Sequence, residues 1–266
     1  MRGLLDKLGA IVRRDLLTAV RYRTGFLLAA AGTLAEIVAF YYLARAIGPG
    51  FRPEGIDYFP FLLVGTGFYT FLAMGITAFL TTVQEAQQTG TLEVLMTTST
   101  PAPVLVLLSA VSAFSGKTLG LVLYLAAGLV LFGAPREHPN LAGCAVILGL
   151  SLVVAVAIGI LAAALQLAIQ KGSAVVWMLG SVWFLTGTMF PVSTLPASLR
   201  HLAALIPITH ALDAMRLALL LGTPFSGLVR EIGILAVFAV LLLPLGLFLF
   251  SYTLRKARRE GTLSLY

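Results

Sequence analysis

Long apolar stretches alternate with short polar breaks along the whole chain. Six apolar runs stand out: Phe26–Ile47, Phe59–Val83, Ala113–Gly133, Leu141–Ile169, Ala174–Phe190 and Leu228–Leu254. Most reach the roughly 20 residues an α-helix needs to cross hydrocarbon. In lipid every backbone N–H must find its partner inside the segment, which a helix provides. The runs are too long for barrel strands. The pattern therefore predicts an all-α integral membrane protein with six transmembrane helices. The start of the third span is the least defined, because Val104–Ser115 is apolar as well.

The polar breaks have their own patterns. Leu5, Leu8, Val12, Leu16 and Val20 recur at three- and four-residue spacing, while Lys7, Arg13, Arg14 and Arg21 lie mostly off that stripe. This predicts an amphipathic helix lying on the membrane surface. Gly48–Asp57 and Gly133–Asn140 read as turn-rich loops on one side, and Gln170–Ser173 as a short loop on the other. Between the fifth and sixth runs, Phe190–Phe225 holds two apolar pieces, Leu195–Ile206 and His210–Leu221, punctuated by Pro191, Pro196, Pro207 and Pro224. Each piece is too short to cross. Together they predict an external re-entrant helical hairpin, with its backbone covered by protein or lining a cavity. Small residues recur at Gly116 and Gly120, at Ala155, Gly159 and Ala163, and at Gly180 and Gly187, where they would let helices approach closely.

Composition agrees with this pattern. Hydrophobic residues make up 59% of the 266 and charged residues only 11%, against about a quarter in a soluble domain. The net charge of +7 does not indicate nucleic acid, because of where the charge lies. Arg2, Lys7, Arg13, Arg14, Arg21 and Arg23 precede the first span, and Arg255, Lys256, Arg258 and Arg259 follow the last. With Lys117 and Lys171, one side of the membrane would hold twelve of the eighteen Lys and Arg residues. The positive-inside rule makes that side cytoplasmic, with both termini on it. The same residues would touch anionic lipid headgroups. The charged N-terminal stretch is too long for a cleavable signal peptide, and the run behind it is long enough to span. The single cysteine, Cys144, cannot form a disulfide within the chain.

Motifs of catalysis are missing from the sequence. It has no GxxxxGK[ST], so ATP is not bound by that route, and no GxSxG or HExxH. His138, His201 and His210 show no metal-ligand spacing. One acid interrupts the first span: Glu36. A carboxylate there costs about 3 kcal/mol on insertion scales. It either faces a pathway or cavity, or it joins two helices as a neutral or hydrogen-bonded group. Lys117 and Arg45 lie near span ends and can snorkel to the headgroups.

One polar break is unlike the others. Val83–Pro101, VQEAQQTGTLEVLMTTSTP, is polar except for a thin stripe of Leu92, Leu95 and Met96. Glu85, Gly90, Thr91, Leu92, Glu93 and Leu95 match a GTLExL inner-loop pattern. A second segment, Gly187–Arg216, carries Phe190-Pro191, Leu195-Pro196, Pro207 and Arg216 in the matching order. With six spans, these segments make the chain resemble the ABC-2 type permeases, the membrane subunits of two-component ABC exporters. One departure is visible. Ser99 stands where the family places a proline after the GTLE segment, and the proline follows at Pro101.

The resemblance implies a single transmembrane domain over residues 1–266. Within it, 1–24 would be the cytoplasmic interface helix, 84–98 a coupling helix docked on a separate ABC ATPase, and 191–224 an external gate. Glu85, Gly90, Thr91, Leu92, Glu93, Leu95 and Met96 would form the ATPase contact, an apolar anchor with a polar rim. Phe190, Pro191, Leu195, Pro196, Leu199, Leu202 and Pro207 would form the gate. The chain would pair with itself as a homodimer on two ATPase copies. ATP and Mg would sit on those partners, and this chain would hold no cofactor. The expected role is outward movement of an amphipathic or lipid-like cargo: a drug, a lipid or a lipid-linked glycan. Two alternatives stand beside it. One is an ATP-independent secondary transporter using Glu36 as its proton-coupling acid. The other is a structural membrane scaffold.

Overall fold

A computed structural model describes residues 23–88, 102–132, 138–169 and 180–260. These residues are helical or in turns, with no strand among them. Seven α-helices are described: α1 (Arg23–Ile47), α2 (Tyr58–Gln88), α3 (Ala102–Phe132), α4 (Leu141–Ile169), α5 (Ala197–Ala204), α6 (Pro207–Leu220) and α7 (Phe225–Glu260). Short 3₁₀ turns occupy Pro53–Gly55, Val182–Thr186 and Val192–Thr194.

Among the described residues, four helices are long and apolar enough to cross a membrane, over Leu27–Ile47, Tyr58–Glu85, Leu141–Ile169 and Phe225–Ala257. The count becomes five if the bent pair α5 and α6 is taken as one span. The chain is thus a multi-pass membrane protein. The first, second, fourth and sixth apolar runs lie inside these helices. The third run is part of a longer helix, since α3 begins at Ala102 and has 31 residues. At 1.5 Å per residue that is about 46 Å, well beyond the hydrocarbon. Pro103 suits this early start, being in a first helical turn where no N–H partner is needed. Much of the fifth run lies outside the described residues. Its described end is not a straight helix: Val182–Thr186 is 3₁₀, and Gly187 closes it with φ of 76°. Gly187 therefore serves as a left-handed turn residue, where the sequence had suggested helix packing.

The other small residues divide in the same way. Ala155, Gly159 and Ala163 are buried in α4, as their spacing predicts. A Cβ on Gly159 would lie 3.3 Å from the Phe79 ring of α2. Gly120 has open space around it, so it packs nothing. The close contact of α2 with α3 instead uses glycines absent from that expectation. Gly67 receives Tyr124, Gly75 receives Phe114, and Gly128 receives Leu63. In lipid no water drives helices together, so interdigitation of side chains into glycine notches supplies the association.

The most extensive helix pair is α4 with α7. Gly246 of α7 sits against α4, where a Cβ would come within 3.1 Å of the Ala157 carbonyl oxygen. α2 lies at the centre and touches α1, α3, α4 and α6. Its Phe61, Leu62, Leu63, Val64 and Phe68 are wholly buried. α1 is peripheral. Ile37 is buried, but Leu27, Leu28, Leu34, Val38 and Tyr42 are exposed. Such large exposed apolar surface belongs with lipid or another protein as its surroundings.

Candidate functional site

Within the segment 191–224, predicted as a hairpin, α5 and α6 meet at 86° over a break of two residues, the geometry of a broken span or of a re-entrant loop. Pro207 starts α6 and ends the preceding extended residue Ile206, as a proline at the first helical position does. The two arms differ sharply. α6 buries Ile208, Thr209, Ala211, Leu212, Ala214, Met215, Arg216, Ala218 and Leu220. It packs on α2, α4 and α7. In α5 only Ala203 is buried. Leu202 is 51% exposed and Leu205 71%. The hairpin is thus one anchored arm and one arm with a free apolar face.

The anchor is Arg216. It is wholly buried, the largest such side chain among the described residues. Its guanidinium lies over the Phe61 ring of α2, 3.5 Å from the ring centre. One terminal nitrogen, Nη2, donates to the Thr188 carbonyl at 2.9 Å and to the Phe61 carbonyl at 3.3 Å. The other, Nη1, lies 3.6 Å from Asp213 Oδ1 one turn earlier. Room for this comes from Gly65, where any Cβ would collide with the guanidinium and with the Thr188 carbonyl. A buried cation is costly unless its charge and N–H groups are met. Here a ring face, two carbonyls on Nη2 and a carboxylate meet part of that demand, while Nε and Nη1 make no hydrogen bond, and the contacts tie the helix, the turn and the hairpin together.

The turn before the hairpin is held from several sides. Thr186 and Thr188 share a hydroxyl hydrogen bond of 2.7 Å, and Thr186 also donates to the Trp183 carbonyl. Tyr58 of α2 donates from its hydroxyl to the Met189 carbonyl at 3.4 Å. Arg200 of α5 reaches back to the carbonyls of Ser193 and Leu195. Two further ties fix the far end. Asn140 caps α4 through the Gly143 N–H and donates to the Thr223 carbonyl. His210 of α6 sits between Glu231 of α7, at 2.8 Å from Nδ1, and the Ala204 carbonyl, at 2.9 Å from Nε2. The hydrogen bond to Glu231 raises the His210 pKa above its ordinary value of 6.5, against the opposing effect of burial.

The predicted gate residues therefore do not share one environment. Pro191 and Pro207 are buried. Leu195 is half-buried, and Phe190, Pro196, Leu199 and Leu202 are exposed. The spacing of Leu199 and Leu202 predicts one face, and both are exposed. Of the predicted ATPase contact, Glu85 is an exposed residue in the last turns of α2. Gly90, Thr91, Leu92, Glu93, Leu95 and Met96 lie outside the described residues, as does the N-terminal stretch 1–22. Glu36 is on the exposed side of α1. Among the described residues no group of His, Cys, Asp and Glu could hold a metal ion. The sequence reading placed Arg216 in a motif without a role, and it missed Gly65, Thr188 and the His210–Glu231 pair. Arg216 did leave a signal, being, with Asp213 three residues before it, a charge in an otherwise apolar piece.

Comparison with known proteins matches the same segments. Residues 6–220 match the family model described as ABC-2 type transporter. Two similar proteins are each named Nodulation protein J, one from Rhizobium leguminosarum bv. viciae and one from Rhizobium meliloti (strain 1021). Both are 37% identical over 57 residues. That stretch is 21% of this chain, and 22% and 21% of the two relatives. This chain therefore matches only about a fifth of the length of either. The family match is far broader, running from the basic N-terminal stretch through the hairpin to its buried arginine. On that match and its multi-pass helical build, the chain belongs to the ABC-2 type transporter family, whose members are membrane transport components.

Proposed function

We propose that this chain is the permease subunit of an ATP-driven exporter. It would carry an amphipathic or lipid-like cargo outward across the cytoplasmic membrane. Six spans would place both termini and the coupling segment in the cytoplasm. A separate ABC ATPase, in two copies with ATP and Mg, would drive a homodimer of permeases.

One observation carries this reading: α2 joins two segments that the family motifs single out. Near its first turns, Phe61 and Gly65 grip Arg216 of the hairpin. At its other end, Glu85 leads directly into the GTLEVL segment. Helix α2 has 31 residues, about 46 Å at 1.5 Å per residue. A push on the coupling segment would shift a helix to which the hairpin is pinned. The exposed arm α5 would then swing with it. At rest, Leu199 and Leu202 would meet their counterparts in the second copy and exclude water.

The coupling segment supplies the test. Leu92→Asp or Leu95→Asp would bury a charge in the ATPase groove, a loss of about 3–5 kcal/mol if unpaired. Each variant should insert and fold normally, yet fail to retain the ATPase or stimulate its hydrolysis. A variant that pulls down its ATPase and transports like the parent sinks the docking assignment.

A further inference from the structure

The end of α1 remote from the basic N-terminal stretch, with the loop that follows, forms an open cleft of about 340 Å³. Tyr41, Arg45, Phe51, Arg52, Asp57 and Tyr58 are among its lining. Its aromatic members brace one another: Phe51 is edge-on to Tyr58 at 4.9 Å, and Tyr41 is edge-on to Phe59 at 5.7 Å. Arg52 is occupied by Asp57, with Nε 3.0 Å from Oδ1. Arg45, in the last turn of α1, has no acidic partner among the described residues. The lining thus holds, among aromatic side chains, one guanidinium without an acidic partner.

An apolar stripe leads to this arginine. Leu34, Val38 and Tyr42 are exposed. With Arg45 they follow at spacings of four, four and three, which puts them on one helix face. A cation at the end of such a stripe, on a helix long enough to cross the membrane, sits at headgroup depth. The cleft is at the small end of the range for ligand sites, about 300–1,000 Å³. It suits a headgroup, while the chains of an amphiphile would lie outside it along the stripe. Guanidinium is the group best shaped for a phosphate, which it can engage through two N–H donors.

We propose that this cleft and stripe bind one phosphate-bearing amphiphile. Its phosphate sits against Arg45, and its acyl chain lies along Leu34, Val38 and Tyr42. The site rests on the membrane reading of α1 and does not depend on the ATPase.

The test is ligand titration of the purified full chain in detergent, read by native mass spectrometry. Three probes are used: phosphatidylglycerol, diacylglycerol without phosphate, and glycerol 3-phosphate without chains. Phosphatidylglycerol should bind best. Arg45→Gln should weaken it about fivefold, the value of one basic residue at an anionic membrane surface, and Arg45→Lys should stay nearer the parent. Val38→Ser should weaken the lipid while leaving glycerol 3-phosphate unchanged. Equal binding of phosphatidylglycerol by Arg45→Gln and the parent overturns the proposal. Diacylglycerol binding as well as phosphatidylglycerol removes the phosphate contact. Glycerol 3-phosphate binding as well as the lipid reduces the site to a free-anion cleft. Because the readout is binding without ATP, failure here leaves the exporter reading untouched, and failure of ATPase coupling leaves this site untouched.

Discussion

Arg216 lies flat over Phe61, with its guanidinium carbon 3.5 Å from the ring centre and no exposed surface of its own. Few contacts tie the hairpin to α2 so directly. Arg216→Lys keeps the charge but loses the planar stack and the second N–H contact. A desolvated cation–π contact is worth about 2 kcal/mol, so the variant should lose at least that much in detergent unfolding. A parent-like unfolding midpoint would show that the stack contributes nothing.

The same contact makes a prediction about glycine. Gly65→Ala should destabilise by about 1–3 kcal/mol, because the new methyl meets the guanidinium and the Thr188 carbonyl. Gly233→Ala is the matched control in α7. Nothing lies within 4 Å of its added Cβ, so relief of helix entropy should leave it neutral or about 0.5–1 kcal/mol more stable. Parallel thermal scans check both, and equal behaviour of the pair contradicts the packing account.

His210 sets a pH dependence. Its pKa is raised in the folded chain, chiefly by the hydrogen bond to Glu231. A raised folded value contributes stability that is fully present below the unfolded value, about 6.5. That stability is lost as pH rises through the folded value. Stability should therefore fall from pH 6 to pH 8.5 in the parent, and fall less in Glu231→Gln. Superimposable pH profiles for the two would remove the pair from the account.

The gate assignment predicts a leak. Leu199 and Leu202 are both exposed on α5, and neither belongs to the buried core. Folding and expression should be unchanged. Proteoliposomes without ATP should pass small ions faster than the parent. Leak equal to the parent would move the seal elsewhere.

Glu36 tests the membrane interior. It lies on the exposed side of α1, where an uncovered carboxylate would cost about 3 kcal/mol. We expect a second copy or the cargo path to cover it. Glu36→Gln should then express normally and transport more slowly. Unchanged transport of every substrate tried would leave Glu36 a packing residue.

Much of the architecture is written in composition and period. Hydrocarbon demands long apolar segments that satisfy their own backbone, so Leu141–Ile169 could be placed from the sequence to the residue. Prolines marked both ends of the hairpin because they lack an N–H and exclude helical residues before them. The pattern proposed to meet an ATPase is also local: a polar stretch with three apolar residues needs no partner helix to be noticed. The contacts of α6 were a different matter. Leu205 and Leu212 are the same residue type in neighbouring apolar pieces, yet one is 71% exposed and the other wholly buried. Hydropathy cannot separate them, because burial depends on which arm meets α2, α4 and α7. Nor could spacing find the use of Gly65. Its meaning comes from Arg216, 151 positions later along the chain, and from the Thr188 carbonyl that shares its notch. A glycine's missing side chain becomes informative only when something occupies the space, and tertiary packing alone decides what does.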